Sequence, residues 1–123
     1  MLKIHTNNFG SIAILCLQGR MVRGETAALR NTVLSLSEVS TVVLDLARVS
    51  TIDAGGLGVM LELREQTHSK GIEFRLINVT RLVSQILRIT RLDSVFKVTP
   101  GAELSSAGSL GRPASFWQIA ICA

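Results

Sequence analysis

A chain of 123 residues that is 47% hydrophobic and 18% charged carries enough apolar material for one packed core, and excludes disorder across its main body. The net charge of +4 raises the question of nucleic acid, yet the thirteen Lys and Arg are scattered from Lys3 to Arg112 and aromatic residues make up only 4%, with no Tyr to stack on bases. No run approaches the roughly eighteen apolar residues of a membrane span. The polar stretch His5-Thr6-Asn7-Asn8 after Lys3 argues against a translocation signal, so neither direct nucleic-acid binding nor membrane insertion is expected.

The chain opens with two strands. Residues 2–5 form a short one and residues 11–18 a stronger one, joined by turn chemistry at Asn7-Asn8-Phe9-Gly10 into an antiparallel hairpin. Residues 24–37 read as a helix, with Ala28, Leu29, Thr32, Val33 and Leu36 on one stripe and Glu25 at the positive end of its dipole. Residues 41–47, Thr-Val-Val-Leu-Asp-Leu-Ala, have the continuous β-branched character of a central strand covered on both faces.

A short loop then leads to a second helix over residues 54–68, apolar along Leu57, Met60 and Leu61 and widened by Val59 and Leu63. Lys70-Gly71 ends it with a left-handed cap. Residues 73–79 form a strand. Thr80 caps a third helix that runs to Thr90 with a buried stripe of Leu82, Val83, Ile86 and Leu87, while Arg81 and Arg88 face out. Residues 95–98 are a short last strand. The order ββαβαβαβ with short connections predicts an α/β fold, a mixed β-sheet with helices packed against it.

Residues 1–99 make this domain, and residues 100–123 a flexible or loosely docked C-terminal tail. Within the tail a Ser/Gly-rich spacer over residues 105–113 gives way to the apolar residues 115–123. The only cysteines are Cys16, in an apolar run, and Cys122. They spell neither a disulfide framework nor a metal motif, and the expected compartment is the reducing cytoplasm.

The chemistry concentrates where the central strand runs into the second helix. Asp53 is placed to cap that helix, and Ala54, Gly55, Gly56 and Gly58 strip bulk from its first turns. Each glycine costs the helix about 1 kcal/mol, so something besides helix stability is served. A phosphate cradle is one reading, but Gly55-Gly56-Leu57-Gly58 matches neither the P-loop nor GxGxxG. Tight packing of a capped helix on its strand is a second, and a protein-docking surface a third. Asp45 and Asp53 flank the same junction, but no further ligand or nucleophile joins them, and neither His5 nor His68 has an obvious partner. No catalytic residue, metal or cofactor is expected, and hence no enzyme.

The run Val42-Val43-Leu44-Asp45-Leu46-Ala47-Arg48-Val49-Ser50-Thr51-Ile52-Asp53-Ala54-Gly55-Gly56-Leu57-Gly58-Val59-Met60-Leu61 is succeeded by two further stretches of the same character. These are Lys70-Gly71-Ile72-Glu73-Phe74-Arg75-Leu76-Ile77-Asn78-Val79 and Val83-Ser84-Gln85-Ile86-Leu87-Arg88-Ile89-Thr90-Arg91-Leu92-Asp93-Ser94-Val95-Phe96. Together they resemble the STAS domain family, and within it the bacterial anti-sigma-factor antagonists. The likeness covers nearly everything up to Thr99, through motifs that are individually weak and jointly specific.

The resemblance implies a partner-switching module that binds an anti-sigma factor, often a serine-kinase-like protein, and so frees a sigma factor and regulates transcription. Switching members carry the acceptor Ser in an Asp-Ser-Ser-Gly motif. Here that motif falls on Asp53-Ala54-Gly55-Gly56, so Gly55 stands at the acceptor position without a hydroxyl, and Ala54 replaces the other Ser. A phosphorylation switch at Gly55 is therefore not expected.

Ser50 and Thr51 are the nearest hydroxyls. Thr51 is the candidate substitute acceptor, against the plainer reading that both satisfy loop amides. The implied contact surface is Ser50, Thr51, Asp53, Ala54, Gly55, Gly56 and Leu57, with Arg20, Met21 and Arg23 after the hairpin. The lost Ser keeps open a STAS subunit of a membrane transport complex. A stressosome-like scaffold is a third reading, in which residues 116–121 would support self-association.

Overall fold

The computed structural model describes residues 2–98; the tail expected at 100–123 lies outside the described residues. The elements are β1 (Lys3–Phe9), β2 (Ile12–Met21), α1 (Ala27–Ser35), β3 (Thr41–Ile52), α2 (Ala54–Ser69), β4 (Glu73–Ile77), α3 (Arg81–Ile89) and β5 (Lys97–Val98). They build one five-stranded sheet in the order β1-β2-β3-β4-β5, with β1 antiparallel to β2 and every other pair parallel. The expected order of elements and the mixed sheet are both present.

The hairpin is tighter than its sequence suggests. Gly10 and Ser11 alone make the turn, closed by the pair Phe9↔Ile12, and Gly10 supplies the positive φ of 63° that a two-residue turn needs at its first central position. Asn7 and Asn8, read as turn residues, are strand residues paired with Ile14 and Ala13.

Because β2, β3, β4 and β5 lie side by side in chain order, right-handed crossovers place α1, α2 and α3 on one face of the sheet. The core forms there. Ala13, Leu15 and Leu17 of β2, Val42, Leu44 and Leu46 of β3, and Phe74 and Leu76 of β4 meet Leu29 and Val33 of α1, Met60 and Leu63 of α2, and Val83 and Leu87 of α3. Phe96 closes the far side against Phe74, their ring centroids 6.2 Å apart.

Several boundaries move, each for a local reason. Gly24 takes a φ of 88°, and the Glu25 amide bonds back to the Val22 carbonyl at 3.0 Å, so residues 22–25 form a turn, Thr26 is the N-cap and α1 begins only at Ala27. Ala28, placed on the apolar stripe by spacing, is exposed. Asn78 has a φ of 52° and ends β4 at Ile77. Thr80 caps α3 as expected, its hydroxyl accepting from the Val83 amide at 3.3 Å. That helix buries Val83 and Leu87 but leaves Leu82 47% exposed, because only one side of it reaches the sheet. β5 shrinks to two residues because the amides of Val95 and Phe96 both bond to the Leu92 carbonyl, which folds them into a turn.

Candidate functional site

The candidate residues gather at the C-terminal ends of β2 and β3. β3 does not stop at Ala47: Val49, Thr51 and Ile52 are β-branched, and β2 continues beside them as far as Met21. The pairs Gly19↔Val49, Arg20↔Thr51 and Met21↔Ile52 join the two extensions, with register shifts at Cys16/Gln18 and Gly19/Arg20 where the strands bend. Ser50 and Thr51 are therefore strand residues, which corrects the loop expected over residues 50–53. The Ser50 hydroxyl donates to the Gly19 carbonyl across the pair at 3.1 Å, rather than satisfying a loop amide.

Asp53 ties three elements together. It is the N-cap of α2, its Oδ1 accepting from the Gly56 amide at 2.9 Å. Both carboxylate oxygens also accept from the Arg23 amide, each at 3.1 Å, which fastens the β2–α1 loop to the start of α2. The Asp53 amide bonds to the Met21 carbonyl at 3.3 Å. These amides hold the Asp53 carboxyl below the usual aspartate range, Gly56 first and Arg23 second. A negative group already sits on the α2 N-terminus, so the phosphate-cradle reading loses its place: the anion that the amides would bind is the chain's own.

The glycines differ in purpose. A Cβ at Gly56 would stand 2.0 Å from the Met21 carbonyl oxygen, and one at Gly55 would stand 2.7 Å from Arg23 Cβ. At Gly58 a Cβ would meet nothing within 4 Å. Close packing thus accounts for Gly55 and Gly56, while nothing in the structure explains Gly58.

Exposure divides the expected contact residues. Arg20, Arg23, Ser50, Asp53 and Ala54 are exposed, and Thr51 and Gly55 are half-buried. Met21, Gly56 and Leu57 are buried, Met21 completely, and hold the surface up from beneath rather than offering contacts. The sequence did not reveal Thr26, Arg30 and Glu62. Thr26 and Arg30 line a groove of about 290 Å³ between the β2–α1 loop and α2, together with Arg23, Gly24, Gly55 and Val59. The Arg30 guanidinium bridges α1 to Glu62 of α2 at 2.6 Å. Only the sheet order reveals this pairing, because the two residues lie on different helices.

Asp45 belongs elsewhere. It pairs with Cys16 and Ile77 in mid-strand, on the sheet face away from the helices, and eight residues of strand at about 3.3 Å each separate it from Asp53. The two carboxylates do not share a site. Asp45 is 1% exposed, and accepts from the Ala47 amide at 3.0 Å and from Asn78 Nδ2 at 3.2 Å. Burial nonetheless pushes its carboxyl above the usual range.

The two shifts act oppositely on stability. The Asp53 contribution is present above its unfolded pKa of about 3.9 and is lost as pH falls through its lower folded value. The Asp45 penalty is present above its raised folded value and is relieved as pH falls through it. Carboxyl-carbon chemical shifts tracked against pH are expected to show Asp45 titrating first and Asp53 last; the reverse order would contradict both environments. Among the described residues no three His, Cys, Asp or Glu side chains gather to hold a metal, and no helix is long and apolar enough to cross a membrane.

Comparison with known proteins gives a match to the STAS domain model over residues 3–104. An anti-sigma factor antagonist from Mycobacterium paratuberculosis superposes with a TM-score of 0.69 at 18% identity, over 80% of this chain and 85% of its own. The anti-sigma factor antagonist SpoIIAA in its unphosphorylated form gives 0.72 at 14% identity, over 89% and 96%. A sulfate transporter family protein from Wolinella succinogenes gives 0.66 at 21%, over 72% and 75%. At these identities the likeness is one of fold.

Proposed function

This chain belongs to the STAS domain family, and on that premise we propose that it is an anti-sigma-factor antagonist, a non-enzymatic cytoplasmic module that binds an anti-sigma factor and so releases a sigma factor to regulate bacterial transcription. The observation that carries the reading is the exposed ridge of Arg20, Arg23, Ser50, Asp53 and Ala54 at the carboxyl ends of β2 and β3. Partners of open α/β sheets are met at that end of the strands, where successive loops converge. Here the Asp53 carboxylate fixes the β2–α1 loop, so the ridge is ordered before a partner arrives and little ordering entropy is lost on docking. The partner is an anti-sigma factor of the serine-kinase-like kind. Thr51, half-buried in β3 beside Arg20, is the substitute acceptor if the module is phosphorylated at all.

A membrane transport complex is the second reading, supported by the missing hydroxyl at Gly55 and by the shared fold of the sulfate transporter family protein. A stressosome-like scaffold would use the same domain. Affinity capture of the tagged chain from its own cell lysate, with mass spectrometry of partners and of bait phosphorylation, tests the proposal. A kinase-like anti-sigma factor is expected, bound at least tenfold less well by an Arg23→Glu chain that retains its fold. Recovery of permease or ATPase subunits in its place would move the function to transport.

A further inference from the structure

The apolar stripe of α3 is wider than the sheet can cover. Val83 and Leu87 are buried in the core, while Leu82 is 47% exposed and Ile89 81% exposed. Leu82 and Ile89 stand seven residues apart, nearly two full turns, so they share one flank of the helix at a separation of about 10.5 Å. One residue earlier in each case, Arg81 and Arg88 repeat the same spacing along the neighbouring flank, and both are exposed. Exposed Arg91 follows just past the helix, and residues 79–92 hold three Arg with no Asp or Glu. Three other arginines hold a glutamate of this chain: Arg30 with Glu62, Arg64 with Glu65 and Arg75 with Glu73. Among the described residues no carboxylate pairs with Arg81, Arg88 or Arg91.

We propose that this face of α3 is a second docking surface, which takes an amphipathic helix of another protein whose apolar stripe is edged by Asp or Glu. The two seven-residue repeats are what one helix presents to another, an apolar seam with a charged edge running beside it. Acidic residues on the incoming helix supply the countercharges that Arg81 and Arg88 do not find on their own domain. Other occupants fit less well. A second copy related by two-fold symmetry would set arginine against arginine. A nucleic-acid backbone would answer the arginines but leave Leu82 and Ile89 against phosphate. A membrane surface requires no seven-residue register, and an interfacial helix buries a broad apolar face in lipid, whereas α3 has given most of its own to the core. The ridge around Asp53 is built from β2, the β2–α1 loop, β3 and the start of α2, with none of its residues on α3. The inference therefore does not depend on which partner the ridge binds, and it makes the chain a bridge between two proteins.

Benzoylphenylalanine placed at Gln85, the exposed residue between the two flanks, tests the surface by photo-crosslinking in the cells that make the chain. The expected product joins α3 to another protein through a segment with apolar residues at three- and four-residue spacing and Asp or Glu beside them. Arg81→Glu combined with Arg88→Glu should cut its yield about tenfold, and Ile89→Asp severalfold. All three side chains are exposed, so the far-UV circular dichroism of the domain should not change. An Arg23→Glu chain should give the product in full. Its loss there would make α3 part of the complex at the ridge and overturn a separate surface. The absence of any crosslinked protein, a crosslinked segment without acidic residues, or a crosslink to a second copy of the chain also overturns the proposal. So does cosedimentation with phosphatidylserine vesicles that Ile89→Asp abolishes, which would assign the face to a membrane.

Discussion

A single methyl group added at Gly56 is expected to dislodge the start of α2. The new Cβ would stand 2.0 Å from the Met21 carbonyl oxygen and 2.9 Å from its carbon, well inside van der Waals contact. Neither side can retreat cheaply. The Met21 carbonyl accepts from the Asp53 amide at 3.3 Å, Met21 pairs with Ile52 in the sheet, and its side chain is wholly buried. On the other side, Gly56 donates its amide to Asp53 in the helix cap.

Overpacking typically costs about 1–3 kcal/mol where side chains can adjust. Here the obstacle is backbone, so Gly56→Ala should reach or exceed the top of that range even after a helix-propensity gain of about 1 kcal/mol. Gly58→Ala isolates that gain. It lies two residues along the same helix with nothing within 4 Å of the added carbon, so it should stabilise the chain by about 1 kcal/mol. Denaturant midpoints of the two variants should therefore move in opposite directions. If Gly56→Ala matched the parent, the close approach of α2 to β2 would not be what requires glycine there.

The fold was legible because its signals are local and redundant. Residues 41–47 carry the β-branched run of a buried strand, and Thr80 and Lys70-Gly71 mark helix ends by chemistry that needs no knowledge of tertiary contacts. The extension of β3 through Ser50 and Thr51 was harder to see. Two polar residues before an Asp read as a loop, and only pairing with a bulged β2 makes them strand. The site divided along the same line. Asp53 as a cap is implied by residue type and position, whereas its grip on the Arg23 amide joins residues thirty apart and depends on how the β2–α1 loop folds back. Glycine spacing alone could not separate Gly55 and Gly56 from Gly58, because what distinguishes them is the backbone lying opposite.

The same close backbone governs the result of writing the family's acceptor back as Gly55→Ser. The serine Cβ would meet Arg23 Cβ at 2.7 Å and Arg23 Cα at 3.0 Å, so the β2–α1 loop must move away from the helix. Moving it separates the Arg23 amide from both oxygens of Asp53. The loop is exposed and has more freedom than the Met21 carbonyl, so the expected loss is about 1–3 kcal/mol, smaller than at Gly56.

A phosphate on the new hydroxyl would add about 1.5–2 negative charges close to the ionised Asp53, whose carboxyl is already held below the usual range. The variant is thus expected to be less stable than the parent and to carry no more phosphate after incubation with a captured kinase-like partner, as read by intact mass. Arg23→Gly removes the Cβ and Cγ that the serine meets, so the double variant should recover most of the lost stability. Additive losses would show that the two positions do not touch. If Gly55→Ser were instead stable and fully phosphorylated, the loop would be no barrier. Absence of a hydroxyl would then be the whole reason that no switch operates at this position.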